Sequence, residues 1–158
     1  MKKLILSLTI LLITATFTPV HSQDEYFQRG NEYRARGDSL RAEGQYLLAV
    51  ERDPQLAEAH VCLGEIYMLR KKFPQAIEYF EKALSLGYRD PQLFIRLSFS
   101  YHHTGDVDRA ISVYQMFAEA YPNIPEAHLG LGALYEQKGM KAEAEEAYGI
   151  YRAIKQAN

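Results

Sequence analysis

His102-His103 is the one adjacent histidine pair in the chain, and imidazoles are the side chains that most readily hold zinc or copper. Neighbouring residues on a helix point about 100° apart, so these two rings diverge from a shared ion, unlike His at i and i+4. Glu65 or Glu136 would be needed to complete such a site, and both ligand count and spacing argue against it. Cys62 is the only cysteine, so no intramolecular disulfide is possible. It sits in the apolar run His60-Val61-Cys62-Leu63, which predicts a buried, unreactive thiol. The 10 glycines do not cluster into a phosphate-cradling loop, and no serine stands in a Gly-x-Ser-x-Gly turn. Glu143, Glu145 and Glu146 are read as a solvated helix face, because nothing apolar surrounds them to raise a carboxyl pKa. The residues therefore predict no enzyme, no cofactor and no metal.

What those side chains are doing follows from a 34-residue period that divides the chain into 23–56, 57–90, 91–124 and 125–158 without gaps. Each place within the period is called a slot. Slot 11 holds Tyr33, Tyr67, Tyr101 and Tyr135, and slot 20 holds Ala42, Ala76, Ala110 and Ala144. Slot 8 holds Gly30, Gly64, Ser98 and Gly132, all small, and slot 24 holds the aromatics Tyr46, Phe80, Tyr114 and Tyr148. His60 and His128 share a slot two repeats apart, which predicts packing rather than ligation. Apolar residues recur at helical spacing in two stretches per period, such as His60, Leu63, Gly64 and Tyr67, then Ala76, Phe80, Ala83 and Leu84. Gly37-Asp38 and Gly105-Asp106 read as a left-handed stop followed by an N-cap, and Gly139 takes the same place in the last repeat. The second repeat departs, with Lys71-Lys72 there. Asp90-Pro91 and Pro125 suit helix starts.

The pattern predicts eight helices in four antiparallel hairpins. Gly64 and Ala76 are expected to let paired helices approach closely, and the tyrosine and aromatic slots to fill the wedge between successive hairpins.

Small-x-x-Tyr in the first helix, Ala-x-x-x-aromatic in the second and Pro near the repeat end resemble the tetratricopeptide repeat family. Leu63-Gly64 and Leu131-Gly132 carry its Leu-Gly pair, and Leu97-Ser98 is a near match. The slot where the family usually has Trp carries Tyr26, His60, Phe94 and His128, and Arg29 stands at an apolar place of the first repeat, which suits a solvent-facing end. The resemblance covers residues 23–158. It implies an all-α fold, an α-solenoid of four helix-turn-helix repeats coiled into a right-handed superhelix.

It also implies a concave surface lined by the first helices and able to hold a peptide. Carried over residue by residue, that surface comprises Phe27, Asn31 and Arg34 in the first repeat, and Val61, Glu65, Met68 and Leu69 in the second. The third repeat adds Ile95, Phe99, His102 and His103, and the fourth adds Leu129, Ala133 and Glu136. Some family members grip a partner's C-terminal carboxylate with Lys, Asn and Arg. Here Phe27, Cys62 and Gln92 occupy three of those places, leaving Asn31 and Arg96, so that clamp is not expected. The expected role is a non-catalytic scaffold for a protein or peptide partner. The alternative is an assembly protein that self-associates or docks through its last repeat, where Tyr148, Tyr151 and Ile154 would leave an apolar edge.

Residues 1–22 read as a signal peptide. Lys2 and Lys3 form a basic start, Leu4 to Phe17 is apolar, and Val20-His21-Ser22 offers small residues for cleavage before Gln23. Kept in place, the stretch could just span a bilayer on length, but Pro19, His21 and the threonines make it a poor membrane helix. Export to the periplasm or beyond is therefore expected, with no membrane span in the mature chain. The net charge of -2 becomes near -4 once Lys2 and Lys3 are gone (18 basic residues less those two, against 20 acidic). A mildly acidic surface gives no electrostatic basis for binding nucleic acid.

Overall fold

The computed structural model describes residues 21–157, so the expected signal segment lies almost wholly outside the described residues. Every element among them is an α-helix: α1 (His21–Ala35), α2 (Ser39–Arg52), α3 (Ala57–Leu69), α4 (Phe73–Ser85), α5 (Pro91–His103), α6 (Val107–Ala120), α7 (Pro125–Gln137) and α8 (Lys141–Ala157). None of these helices is long and apolar enough to cross a membrane. Each second helix packs against its own first helix and also against the first helix of the next repeat, so the four hairpins stack into one solenoid.

The hairpin turns follow from local chemistry. Gly37, Gly105 and Gly139 adopt φ of +76°, +82° and +75°, a conformation that costs residues with a Cβ about 1–2 kcal/mol. Asp38 and Asp106 then cap the second helices, accepting from the backbone N–H of Arg41 and Arg109 at 3.1 Å each. In the second repeat Lys71 stands in glycine's place and is forced to φ +60°. Pro91 and Pro125 open α5 and α7, and Asp90 caps α5 through the N–H of Gln92 at 2.8 Å.

In the first, second and fourth repeats the small and aromatic slots meet inside one hairpin rather than between hairpins, which corrects the wedge expected there for slot 24. A Cβ added to Gly30 would fall 2.5 Å from the Tyr46 ring, and one on Gly64 the same distance from Phe80. Gly132 is likewise covered by Tyr148. The absent side chain at slot 8 is thus the room that the slot-24 ring occupies, and Tyr46 and Phe80 are fully buried.

The tyrosines of slot 11 do join successive repeats. Tyr67 faces the Glu43 carboxylate of the preceding repeat, Tyr101 donates to Glu81, and Tyr135 accepts from Gln115 Nε2 at 2.8 Å. Burial and the Glu43 carboxylate push the Tyr67 pKa up to about 12.

His60 and His128 are core residues as expected, each 7% exposed. Both donate Nε2–H to the carbonyl of the proline six residues earlier, Pro54 and Pro122, at 3.0 Å. The shared slot therefore staples the turn between repeats, which explains its recurrence without any metal.

The edge expected at the last repeat is apolar only in part. Tyr148, Tyr151 and Ile154 are half-buried, and Tyr148 donates its hydroxyl to Glu136 at 2.9 Å. Where α4 and α6 place Ile77 with Leu84 and Ile111 with Ala118 into the core, the matching positions of α8 hold Glu145 and Arg152, paired at 3.6 Å. Ile150 on the same helix is 40% exposed.

Candidate functional site

The first helices present one continuous face because their side chains reach each other directly. Glu65 on α3 lies 3.2 Å from Arg34 on α1 and 3.2 Å from Arg96 on α5, a carboxylate shared by two guanidiniums across three repeats. Arg34 also reaches Cys62 Sγ at 3.6 Å. Cys62 is buried as expected, and burial pushes its thiol pKa up. Further along, His102 Nε2 lies 3.0 Å from Gln137 Oε1 and ties α5 to α7.

The candidate residues separate into two groups on this face. Asn31 accepts the Tyr46 hydroxyl at 2.8 Å, and Phe27 packs against the same ring at 5.8 Å. Arg34 and Glu65 are engaged in the ion pairs. Val61 is a correction: it is buried in the core and offers nothing to a partner. Met68 is half-buried against the core, while Leu69 at the end of α3 is 77% exposed. Both remnants of the carboxylate clamp, Asn31 and Arg96, already have intramolecular partners.

The other group comes together between α5 and α7. Ile95, Phe99, His102 and Ala133 line a cavity of about 210 Å³ that opens on the face. Phe99 is 48% exposed and Leu129 beside Gly130 is 43% exposed, a large apolar area for a solvated surface. Phe99 meets His103 edge-on at 4.2 Å, and His103 stacks on Phe73 at 4.5 Å, so an aromatic ridge borders the opening. The rings of His102 and His103 are nearly perpendicular, at 85°, and serve different neighbours. Glu136 is exposed and held by Tyr148.

Four lining residues were not foreseen: Ser98, Tyr114, Gly130 and Leu134. They share a cause. In the third repeat slot 8 is Ser98, whose Cβ occupies the place that the slot-24 ring takes elsewhere, and its hydroxyl donates to the Ala110 carbonyl at 3.1 Å. Tyr114 lies instead over Gly130 of the next repeat, where an added Cβ would overlap its ring. Two departures visible in the sequence, a serine for glycine at slot 8 and an extra glycine at 130, were the available signal. Burial alone raises the Tyr114 pKa, and its hydroxyl has no hydrogen-bond partner among the described residues.

Two family models, both described as tetratricopeptide repeat, match residues 57–86 and 101–158. Among curated proteins, the general transcriptional corepressor ssn6 of Schizosaccharomyces pombe is 30% identical over 105 residues, 65% of this chain and 10% of the corepressor. BBSome complex member BBS4 of Bos taurus is 34% identical over 87 residues, 55% of this chain and 17% of that protein. The chain thus spans only a small part of these relatives' length. Among solved structures, MamA superposes with a TM-score of 0.79 at 23% identity, covering 86% of this chain and 80% of MamA. YrrB, described as a TPR protein with an unusual peptide-binding site, gives 0.73 at 26% identity, covering 82% of this chain and 66% of YrrB. Two repeat models, an unbroken 34-residue register and the stacked hairpins converge on one assignment: the chain belongs to the tetratricopeptide repeat family.

Proposed function

We propose that this chain is an exported, non-catalytic scaffold that holds a protein or peptide partner along the face of its first helices. The observation that carries this reading is the cavity between α5 and α7, mostly apolar in its lining and bordered by the exposed Phe99. Side chains that could do chemistry are committed to packing: His60 and His128 staple turns, and Cys62 is buried. The peptide-binding site named for YrrB supports the reading by analogy of fold. Docking through the last repeat is the second reading, less favoured because Glu145 and Arg152 stand on α8 where α4 and α6 carry apolar residues.

Capture from cell envelope by the wild type, set against a Phe99→Ala/Met68→Ala variant with unchanged circular dichroism, tests the binding face. Loss of the same captured protein by the variant is expected, and equal capture overturns the assignment. Export rests on the Lys2-Lys3 start and the apolar stretch after it. Edman sequencing of the envelope-fraction protein should begin at Gln23. Protein beginning at Met1 in the cytosol would refute export.

A further inference from the structure

We propose that the α5/α7 cavity receives one bulky, uncharged side chain of the partner, and that the Tyr114 hydroxyl donates to a backbone carbonyl beside that anchor. This rests on the concave-face reading above. Slot-24 hydroxyls are used elsewhere: Tyr46 donates to Asn31, and Tyr148 to Glu136. Tyr114 lines the cavity and its hydroxyl has no partner among the described residues, so its O–H remains available to an occupant. The ring can take that position only because residue 130 is glycine; the same slot holds Gln28, Cys62 and Arg96 in the other repeats.

Size and charge then define the occupant. At about 210 Å³ the cavity exceeds the ~150 Å³ that suffices for a benzene-sized group. That is room for a single Leu, Ile, Met or Phe side chain. No Asp, Glu, Lys or Arg lines the cavity; beyond it Arg96 is paired with Glu65, Glu136 accepts the Tyr148 hydroxyl and His102 bonds Gln137. A charged side chain entering would lose its hydration and gain no counter-charge, which disfavours it strongly. A leftover O–H donor beside an apolar cavity matches a peptide, which carries a carbonyl within reach of every side chain, better than a lipid chain, which has none to offer.

Panning a random 12-residue peptide library against the processed chain, then measuring Kd of synthetic winners by fluorescence anisotropy, tests this. Winners should share one Leu, Ile, Met or Phe. Changing that residue to Ala or Glu should weaken binding roughly tenfold or more, the scale expected for losing a buried apolar side chain. Ala133→Phe, an exposed position that fills the cavity without touching the core, should do the same with an unchanged urea midpoint. Tyr114→Phe should weaken binding severalfold. Winners that share a charged anchor would overturn the inference. So would winners that lose affinity on Phe99→Ala yet ignore both Ala133→Phe and Tyr114→Phe, and in that case the concave-face reading would stand. If no peptide is enriched, or binding ignores Phe99→Ala as well, the concave-face reading fails and takes the inference with it.

Discussion

Between α1 and α5 the face of the first helices is crossed by the Arg34–Glu65–Arg96 bridge, whereas between α5 and α7 it opens over Tyr114. Both halves are made from the same slots. In the second repeat Gly64 lets Phe80 sink fully beneath the face, and charged groups close the surface above it. In the third, Ser98 denies Tyr114 that place, and the ring comes to line a cavity on Gly130. One added Cβ at a small slot and one removed at its neighbour distinguish a closed stretch of solenoid from an open one. A repeat protein can thus open a cavity by breaking its own rule in two coupled positions.

The largest test of this contrast is ring removal. Phe80→Ala should cost about 3–5 kcal/mol, the usual penalty for emptying a fully buried aromatic site. Tyr114→Ala should cost clearly less, since its ring is only half-buried and borders a cavity already. Equal shifts in urea midpoint would erase the distinction between the two repeats.

Gly64→Ala comes next, at about 1–3 kcal/mol, because even a methyl would sit 2.5 Å from the Phe80 ring and must force it aside. A neutral result would mean the ring has slack that the packing does not show. Lys71→Gly should raise stability by about 1 kcal/mol by relieving the left-handed backbone at φ +60°. Thermal denaturation reads that gain directly.

Glu65→Gln should lower stability by roughly 0.2–1 kcal/mol, as partly exposed ion pairs do, and the difference should shrink in high salt. A salt-independent loss would show that Glu65 acts through packing. The last effect is confined to alkaline pH. Tyr67 has a folded pKa of about 12, above its ordinary value near 10, so the unfolded chain sheds that proton first. Stability should therefore be intact below pH ~10 and fall as pH rises toward ~12. Tyr67→Phe should flatten that part of the profile.

Much of this fold could be read along the chain. Gly37-Asp38 and Gly105-Asp106 became a stop and a cap because φ preference and N-capping are local properties. Recurrence of slot 11 was enough to expect a tyrosine joining repeats. Three of the four slot-24 rings were misplaced, because periodicity gives the face of a helix but not which neighbour fills an empty Cβ position. Val61 was put on the surface for the same reason: its slot faces a groove, yet in the second repeat it turns into the core. The binding candidates Ile95, Phe99, His102 and Ala133 were legible from slot position, while Tyr114 was not, since slot 24 is a core position in its companions.

Sequence by itself determined the eight helices, their turns and the stacking of hairpins, because helical period, capping and a recurring set of small and aromatic residues act over short range. Only the tertiary structure decided where the face is braced and where it is open. That outcome depends on which ring lies over which glycine and which carboxylate lies between which guanidiniums, contacts between residues some 30 positions apart that no local preference encodes.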